Sequence, residues 1–289
     1  MELIVLGAAP AYTDRPGSAA SSYLLRAGDG AGDGAGARAA LLLDLGQGSF
    51  ANLAATLEPS TLVGVAVTHL HPDHFVDLVP LRHYLQWEFD PPRRVRVVAP
   101  AGLADRLDGL NGHQGFAAEA LDIEVLSDGV LRVGPFEVEV RRVTHTLESY
   151  AFRVSVAAGG WSVAGGGSVA GGWSVAGSGS VAGGWSVAGG MAPGLVYSGD
   201  CARAEDLLPL IRRGDTLLSE ASFGAGPVAP GAQHITSGDA ARVASAGEAS
   251  RLLLTHVLSG HSRQDALAAA QAAFDGPIQF VIEGDRFEV

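Results

Sequence analysis

Residues 62–74 read L-V-G-V-A-V-T-H-L-H-P-D-H. The stretch Leu62–Thr68 is an apolar run of strand length. It stops abruptly in a polar turn that places His69, His71, Asp73 and His74 within six positions. Imidazole nitrogens and a carboxylate bind Zn²⁺ well, at ~2.0–2.2 Å. Just past a strand end, His69 and His71 can converge on one ion, and the turn at Pro72 lets Asp73 and His74 face a second. Only nine histidines occur in 289 residues, so three in this turn argue against a merely solvated one.

Working outward, Leu3–Leu6 and Ser22–Leu25 read as strands around a loop with Pro10, Pro16 and Gly17. The Gly/Asp tract from Gly28 to Arg38 reads as a hairpin tip. Ala40–Leu43 is a buried strand ending in Asp44 and the turn L-G-Q-G-S, and Asn52–Leu57 a short helix. After the histidine turn, Phe75–Trp87 has helical spacing, Val95–Ala99 is a strand and Gly102–Leu110 a helix. Ile123–Leu126, Val130–Val133 and Phe136–Val143 are further strands. In the second half, Leu195–Tyr197, Thr216–Ser219 and Arg251–Thr255 read as strands ending in S-G-D, Glu220 and His256. Helices are expected at Leu207–Ile211, Gly238–Ala246 and Ser262–Phe274, the last with Ser262 as N-cap. Phe280–Glu283 and Phe287–Val289 close the sheet. Strands carrying helices on an outer face, in both halves, predict an α+β layered sandwich.

One segment departs from this pattern. Residues 159–190 repeat G-G-W-S-V-A, with Trp161, Trp173 and Trp185 twelve apart and 13 glycines in 32 residues. Three copies without polar caps read as a low-complexity insert within one domain spanning 1–289, not as a stable array. The tryptophans could stack on a base as a lid.

Composition removes several function classes. With 19 Lys+Arg, all of them arginine, against 31 Asp+Glu, the net charge of −12 disfavours a general nucleic-acid binder. The sole cysteine, Cys201, excludes a disulfide framework and a multi-cysteine zinc site; it reads as a small buried filler. No run approaches a membrane span of ~18 apolar residues. The N-terminal MELIVLGAAPA lacks a basic region and reads as a first strand and not as a signal peptide, so a cytoplasmic location is expected.

The H-x-H-x-D-H signature after a buried strand resembles the metallo-β-lactamase superfamily, whose fold is a four-layer αβ/βα sandwich with a two-metal site at the edge of its sheets. Its later motifs recur in V-T-H-T (His145), Y-S-G-D (Asp200) and L-L-L-T-H (His256). The resemblance implies that His69, His71 and His145 hold one zinc and Asp73, His74 and His256 another, with Asp200 bridging. It also implies hydrolysis by a zinc-bound hydroxide, with Asp73 essential; manganese would suit the same donors.

D-L-G-Q-G-S-F (Asp44–Phe50), S-E-A-S-F (Ser219–Phe223) and Q-H-I-T-S-G-D-A-A (Gln233–Ala241) are similar to motifs of the ribonuclease Z and phosphodiesterase branch. That likeness implies that His234 contacts the scissile phosphate and assists the leaving group, positioned by Glu220. Two departures weigh against tRNA 3′ processing. The N-terminal loop A-Y-T-D-R-P-G-S keeps only Arg15 of the branch's basic loop. No charged residue lies between Arg153 and Asp200, where the branch inserts its basic tRNA-gripping arm. The expected substrate is therefore a small, cyclic-nucleotide-like phosphodiester, and a homodimer is the expected assembly. The alternatives are a tRNA-processing endonuclease, a lactone or thioester hydrolase, and an inactive metal-binding or interaction protein. His83, His113 and His261 are expected to have no part in the chemistry.

Overall fold

The computed structural model describes residues 1–28, 38–157 and 192–289. The 159–190 repeat, with its reading as an insert and lid, and the hairpin tip inside 28–38 lie outside the described residues.

The first half runs β1 (Glu2–Gly7), β2 (Ser22–Ala27), β3 (Ala39–Leu43), α1 (Ser49–Thr56), β4 (Leu62–Ala66), α2 (Pro72–Phe75), α3 (Leu78–Trp87), β5 (Val95–Ala99), α4 (Leu103–Asn111) and β6 (Leu121–Val125). The second runs β7 (Gly129–Val133), β8 (Phe136–Val143), β9 (Ser149–Val156), β10 (Leu195–Tyr197), β11 (Thr216–Glu220), α5 (Ser237–Ala246), β12 (Arg251–Thr255), α6 (Arg263–Gln271), β13 (Ile278–Phe280) and β14 (Arg286–Glu288). Two mixed seven-stranded sheets result, ordered β14-β1-β2-β3-β4-β5-β6 and β13-β12-β11-β10-β9-β8-β7.

Period-two alternation builds the layers. Leu3, Val5, Leu25, Leu41 and Leu43 point from the first sheet into a core shared with Phe136, Val138, Phe152, Leu218 and Leu253 of the second. Their neighbours Ile4, Leu24 and Leu42 face the other way, onto Leu53, Leu81 and Leu107 of α1, α3 and α4. On the far side, Val196, Leu217, Leu252 and Leu254 pack on Ala240, Ala244 and Ala270 of α5 and α6. The four layers of the expected α+β sandwich are thus helices, sheet, sheet, helices. Among the described residues, no helix is long and apolar enough to cross a membrane.

Four local expectations need correction. Leu207–Ile211 is no helix: a 3₁₀ turn covers Ala204–Leu207 and a turn follows, while Leu207, Leu210 and Ile211 are still buried. Pro209 accounts for this, since it cannot supply a helical N–H. Phe75–Trp87 divides into α2 and α3, because Asp77 leaves the helix and accepts the Phe50 N–H at 2.9 Å. The last two strands join different sheets, β13 beside β12 and β14 beside β1. Finally, β9 went unanticipated, although it pairs with β8 along its full length.

Candidate metal centre

The candidate side chains come from strand ends and from the turns and helix starts that follow them. His69 and His71 follow β4, and α2 carries Asp73 and His74. His145 lies between β8 and β9, Asp200 follows β10, Glu220 ends β11, His234 precedes α5, and His256 follows β12. Gly199 makes the approach of Asp200 possible. Its φ is +55°, and a Cβ there would lie 2.9 Å from both Thr68 Cβ and the Tyr150 carbonyl oxygen.

The donor atoms gather into three overlapping sets, His69/His71/His145/Asp200, Asp73/His74/Asp200/His256 and Asp200/Glu220/His234/His256, each with its atoms within 4.8 Å of one another. In the first, His71 Nδ1 is 3.0 Å from His69 Nε2 and 3.2 Å from His145 Nε2, and Asp200 Oδ2 is 3.7 Å from His69 Nε2. In the second, His74 Nε2 is 3.5 Å from Asp200 Oδ1 and 3.6 Å from Asp73 Oδ2, and His256 Nε2 is 3.2 Å from Asp73 Oδ2. Asp200 reaches both of these sets, Oδ2 facing His69 and His256 at 3.7 Å each and Oδ1 facing His74.

Divalent ions fit these donors on two grounds. Two ligands at ~2.1 Å from one tetrahedral ion stand about 3.4 Å apart, close to the spacings observed. Also, His74 Nε2 is fully buried without a hydrogen-bond partner, a costly arrangement unless a ligand takes its lone pair.

The opposite nitrogens explain why the inner ones face the centre. His74 Nδ1–H donates to Asp44 Oδ2 at 2.7 Å, and His145 Nδ1–H to the Gln233 carbonyl at 2.9 Å. Thr68 Oγ1 gives its proton to Asp44 Oδ2 at 2.8 Å, so it accepts from His69 Nδ1 at 3.1 Å. Each bond fixes a tautomer whose Nε2 is bare. Two bare nitrogens then face His71 Nδ1, which can meet them as a proton donor or, when it too is bare, across a shared cation.

Electrostatics agree. Burial pushes His69 well below the usual imidazole value, and burial and neighbouring imidazoles lower His71 as well. Burial likewise lowers His145. These rings are neutral, as metal ligands must be. Burial opposes the charge on Asp200, yet His256, His74 and His69 around it hold its carboxyl well below the carboxylate range.

Beside this cluster, His234 Nδ1 is 3.0 and 3.2 Å from the two Glu220 oxygens and 3.7 Å from Asp200 Oδ2. Burial would depress His234, but the Glu220 hydrogen bond and charge outweigh it and raise the imidazolium to about 9. Glu220 is buried, whereas the His234 side chain keeps 24% exposure and is the reachable member of the pair. Cys201 is buried beside them; its backbone N–H donates to Glu220 Oε1 at 2.6 Å, and burial pushes its thiol up. His83, His113 and His261 join none of the converging donor sets.

Three supporting residues escaped the sequence reading. Asp44, in left-handed backbone with φ 56°, also accepts the Thr68 N–H at 2.7 Å and the Tyr197 hydroxyl at 2.7 Å. Ser222 contacts Glu220, His234 and His256. The available signals were a carboxylate ending a wholly apolar strand for Asp44 and, for Tyr197 and Ser222, their places in the quoted Y-S-G-D and S-E-A-S-F stretches, which assigned them no role.

Comparison with known proteins agrees with this geometry. A model of the beta-lactamase superfamily domain matches residues 41–257, from β3 through His256. An uncharacterized protein of Mycobacterium leprae is 29% identical over 95% of this chain and 84% of its own length. Ribonuclease Z of Salinispora arenicola is 28% identical over 88% of this chain and 85% of its own. Among solved structures, the metallo-beta-lactamase fold protein YhfI of Bacillus subtilis superposes with a TM-score of 0.75 at 21% identity, covering 99% of each chain. With the family model spanning most of the chain and the strand-end donors in place, this chain belongs to the beta-lactamase superfamily, as a metal-dependent hydrolase of the metallo-β-lactamase fold.

Proposed function

We propose that this hydrolase cleaves a small phosphodiester, of cyclic-nucleotide type, at a binuclear zinc or manganese centre. The observation that carries the reading is the Glu220–His234 pair, 3.0 Å apart and beside the bridging position of Asp200. His69, His71 and His145 would hold one ion, Asp73, His74 and His256 the other, and Asp200 both. Bound there, two divalent ions supply an acidified water and neutralise phosphoryl charge.

The protein's own groups supply the rest. Glu220 accepts the Nδ1–H of His234, leaving Nε2 as the proton-carrying atom toward substrate. A cationic imidazole at that position can hydrogen-bond a phosphoryl oxygen and protonate a departing alkoxide. A thiolate leaving group has less need of such an acid, which disfavours the thioester alternative. The likeness to ribonuclease Z supports phosphodiester chemistry too, but the uncharged 154–199 interval and the net charge of −12 disfavour a large polyanion.

The test is turnover of an aryl phosphodiester by zinc- or manganese-loaded protein, with a chelator control. Chelator-sensitive cleavage is the expected result, and on a cyclic nucleotide, whose leaving group is an alkoxide, turnover should fall roughly 10²–10⁴-fold in H234A with metal content unchanged. Full activity in H234A or D73A would overturn the mechanism. Cleavage of a cyclic nucleotide but not of a tRNA precursor would support the small-substrate assignment.

A further inference from the structure

Ser222 joins the two halves of the site. It is fully buried, just past β11. Its Oγ is 2.5 Å from Glu220 Oε2, 2.9 Å from His256 Nδ1 and 3.3 Å from His234 Nδ1.

A serine hydroxyl has one proton to give. An ionised carboxylate can only accept, so that proton goes to Glu220 Oε2. Toward His256 the Ser222 oxygen is therefore left as an acceptor, and His256 Nδ1 must carry the hydrogen. Nε2 of His256 is then bare and aimed at Asp73 Oδ2 and Asp200 Oδ2, at 3.2 and 3.7 Å. The same bond fixes Glu220. Oε1 is held by the Cys201 N–H and Oε2 by Ser222, so the carboxylate cannot rotate away from His234. The backbone is committed to the same geometry. His256 sits in left-handed backbone with φ 58°, its N–H bound to the Ala8 carbonyl at 3.1 Å, and the Ser222 carbonyl accepts the Leu258 N–H at 3.2 Å.

We infer that Ser222 is a positioning residue that sets the His256 tautomer for metal binding and locks Glu220 against His234, coupling metal loading to proton delivery. The metal half stands on the donor geometry; the proton-delivery half rests on the phosphodiesterase reading above. In S222A the hydroxyl is lost with little change of volume. His256 Nδ1–H loses its acceptor, so the ring is free to place its proton on Nε2. In S222T the hydroxyl remains.

The experiment compares wild type, S222A and S222T, each verified as folded by circular dichroism. Competitive chelator titration reads the affinity for zinc alone, without substrate. Histidine side-chain ¹H–¹⁵N spectra of the metal-free protein, assigned with H256Q, read the His256 tautomer. The expected result is a roughly 10–100-fold weaker second zinc in S222A, as for other groups that orient ligands. A His256 resonance shifted from the Nδ1–H form should accompany it, with both effects restored in S222T. Zinc affinity within twofold of wild type together with an unchanged tautomer in S222A would overturn the inference. Failure to cleave any phosphodiester would sink the functional reading but leave both of these readouts intact. If cleavage is observed, kcat should fall in S222A even when both zinc positions are saturated, with KM little changed.

Discussion

Asp44 Oδ2 lies 2.7 Å from His74 Nδ1, so a carboxylate at the end of β3 aims an imidazole carried by α2. Both side chains are fully buried. The same carboxylate binds the Thr68 backbone and hydroxyl and the Tyr197 hydroxyl. It thereby ties strands of both sheets to the metal-facing turn, and its charge is what allows four donors to converge on one group.

D44N tests that arrangement. Asn tolerates the left-handed backbone and has the same shape, but its amide NH₂ replaces one acceptor oxygen. Facing a donor, His74 would move its hydrogen to Nε2 and lose the lone pair a metal needs. The expected outcome is zinc affinity reduced by roughly 10–100-fold. Stability should fall by about 1–3 kcal/mol for the Tyr197 or Thr68 hydroxyl left without an acceptor. Chelator competition and denaturant unfolding measure the two effects, and wild-type zinc affinity in D44N would refute the orienting role.

Metal removal should show in stability as well as in activity. An ion that binds only the folded chain stabilises it by mass action, about 2.7 kcal/mol at a hundredfold excess over Kd. For a domain of this size that is a rise of roughly 4–5 °C in Tm for each ion. Thermal melts with added zinc should show this rise and lose it on chelation. H74A should show a smaller rise, whereas H83A, altered at a residue outside the donor sets, should match wild type. A melt insensitive to zinc in the wild-type chain would count against resident metal.

The site was more legible in the sequence than its supports were. His69, His71, Asp73 and His74 fall in one turn, and His145, Asp200 and His256 sit in short strand-end motifs that the family resemblance marked. The bonds that orient them cross long separations: Asp44 reaches Tyr197 over 153 residues and Ser222 reaches His256 over 34. Nothing in local periodicity carries such pairings. The missed strand β9 has a comparable cause. Its S-Y-A-F-R-V-S-V does alternate, but Arg153 occupies a buried position facing the α5/α6 side, where an apolar residue is expected. Only the fold reveals its partner, Asp215, 62 positions away.

That pair supplies a stability prediction with an internal asymmetry. Arg153 Nε and Nη2 meet the two Asp215 oxygens at 2.8 and 2.9 Å in a fully buried, bidentate contact. Asp215 has other donors in the backbone N–H groups of Gly194 and Arg212, both at 2.8 Å. Among the described residues, Arg153 has, besides Asp215, only the Ala192 carbonyl at 3.1 Å. Removing the acid therefore strands a buried cation, and D215A should cost about 3–5 kcal/mol. R153M fills similar volume with apolar atoms and leaves Asp215 two hydrogen bonds, so its loss should be clearly smaller. Guanidinium unfolding midpoints of the two variants decide the matter. Equal losses, or a D215A loss below about 1 kcal/mol, would mean that the backbone donors and not the ion pair hold β9 beside β10.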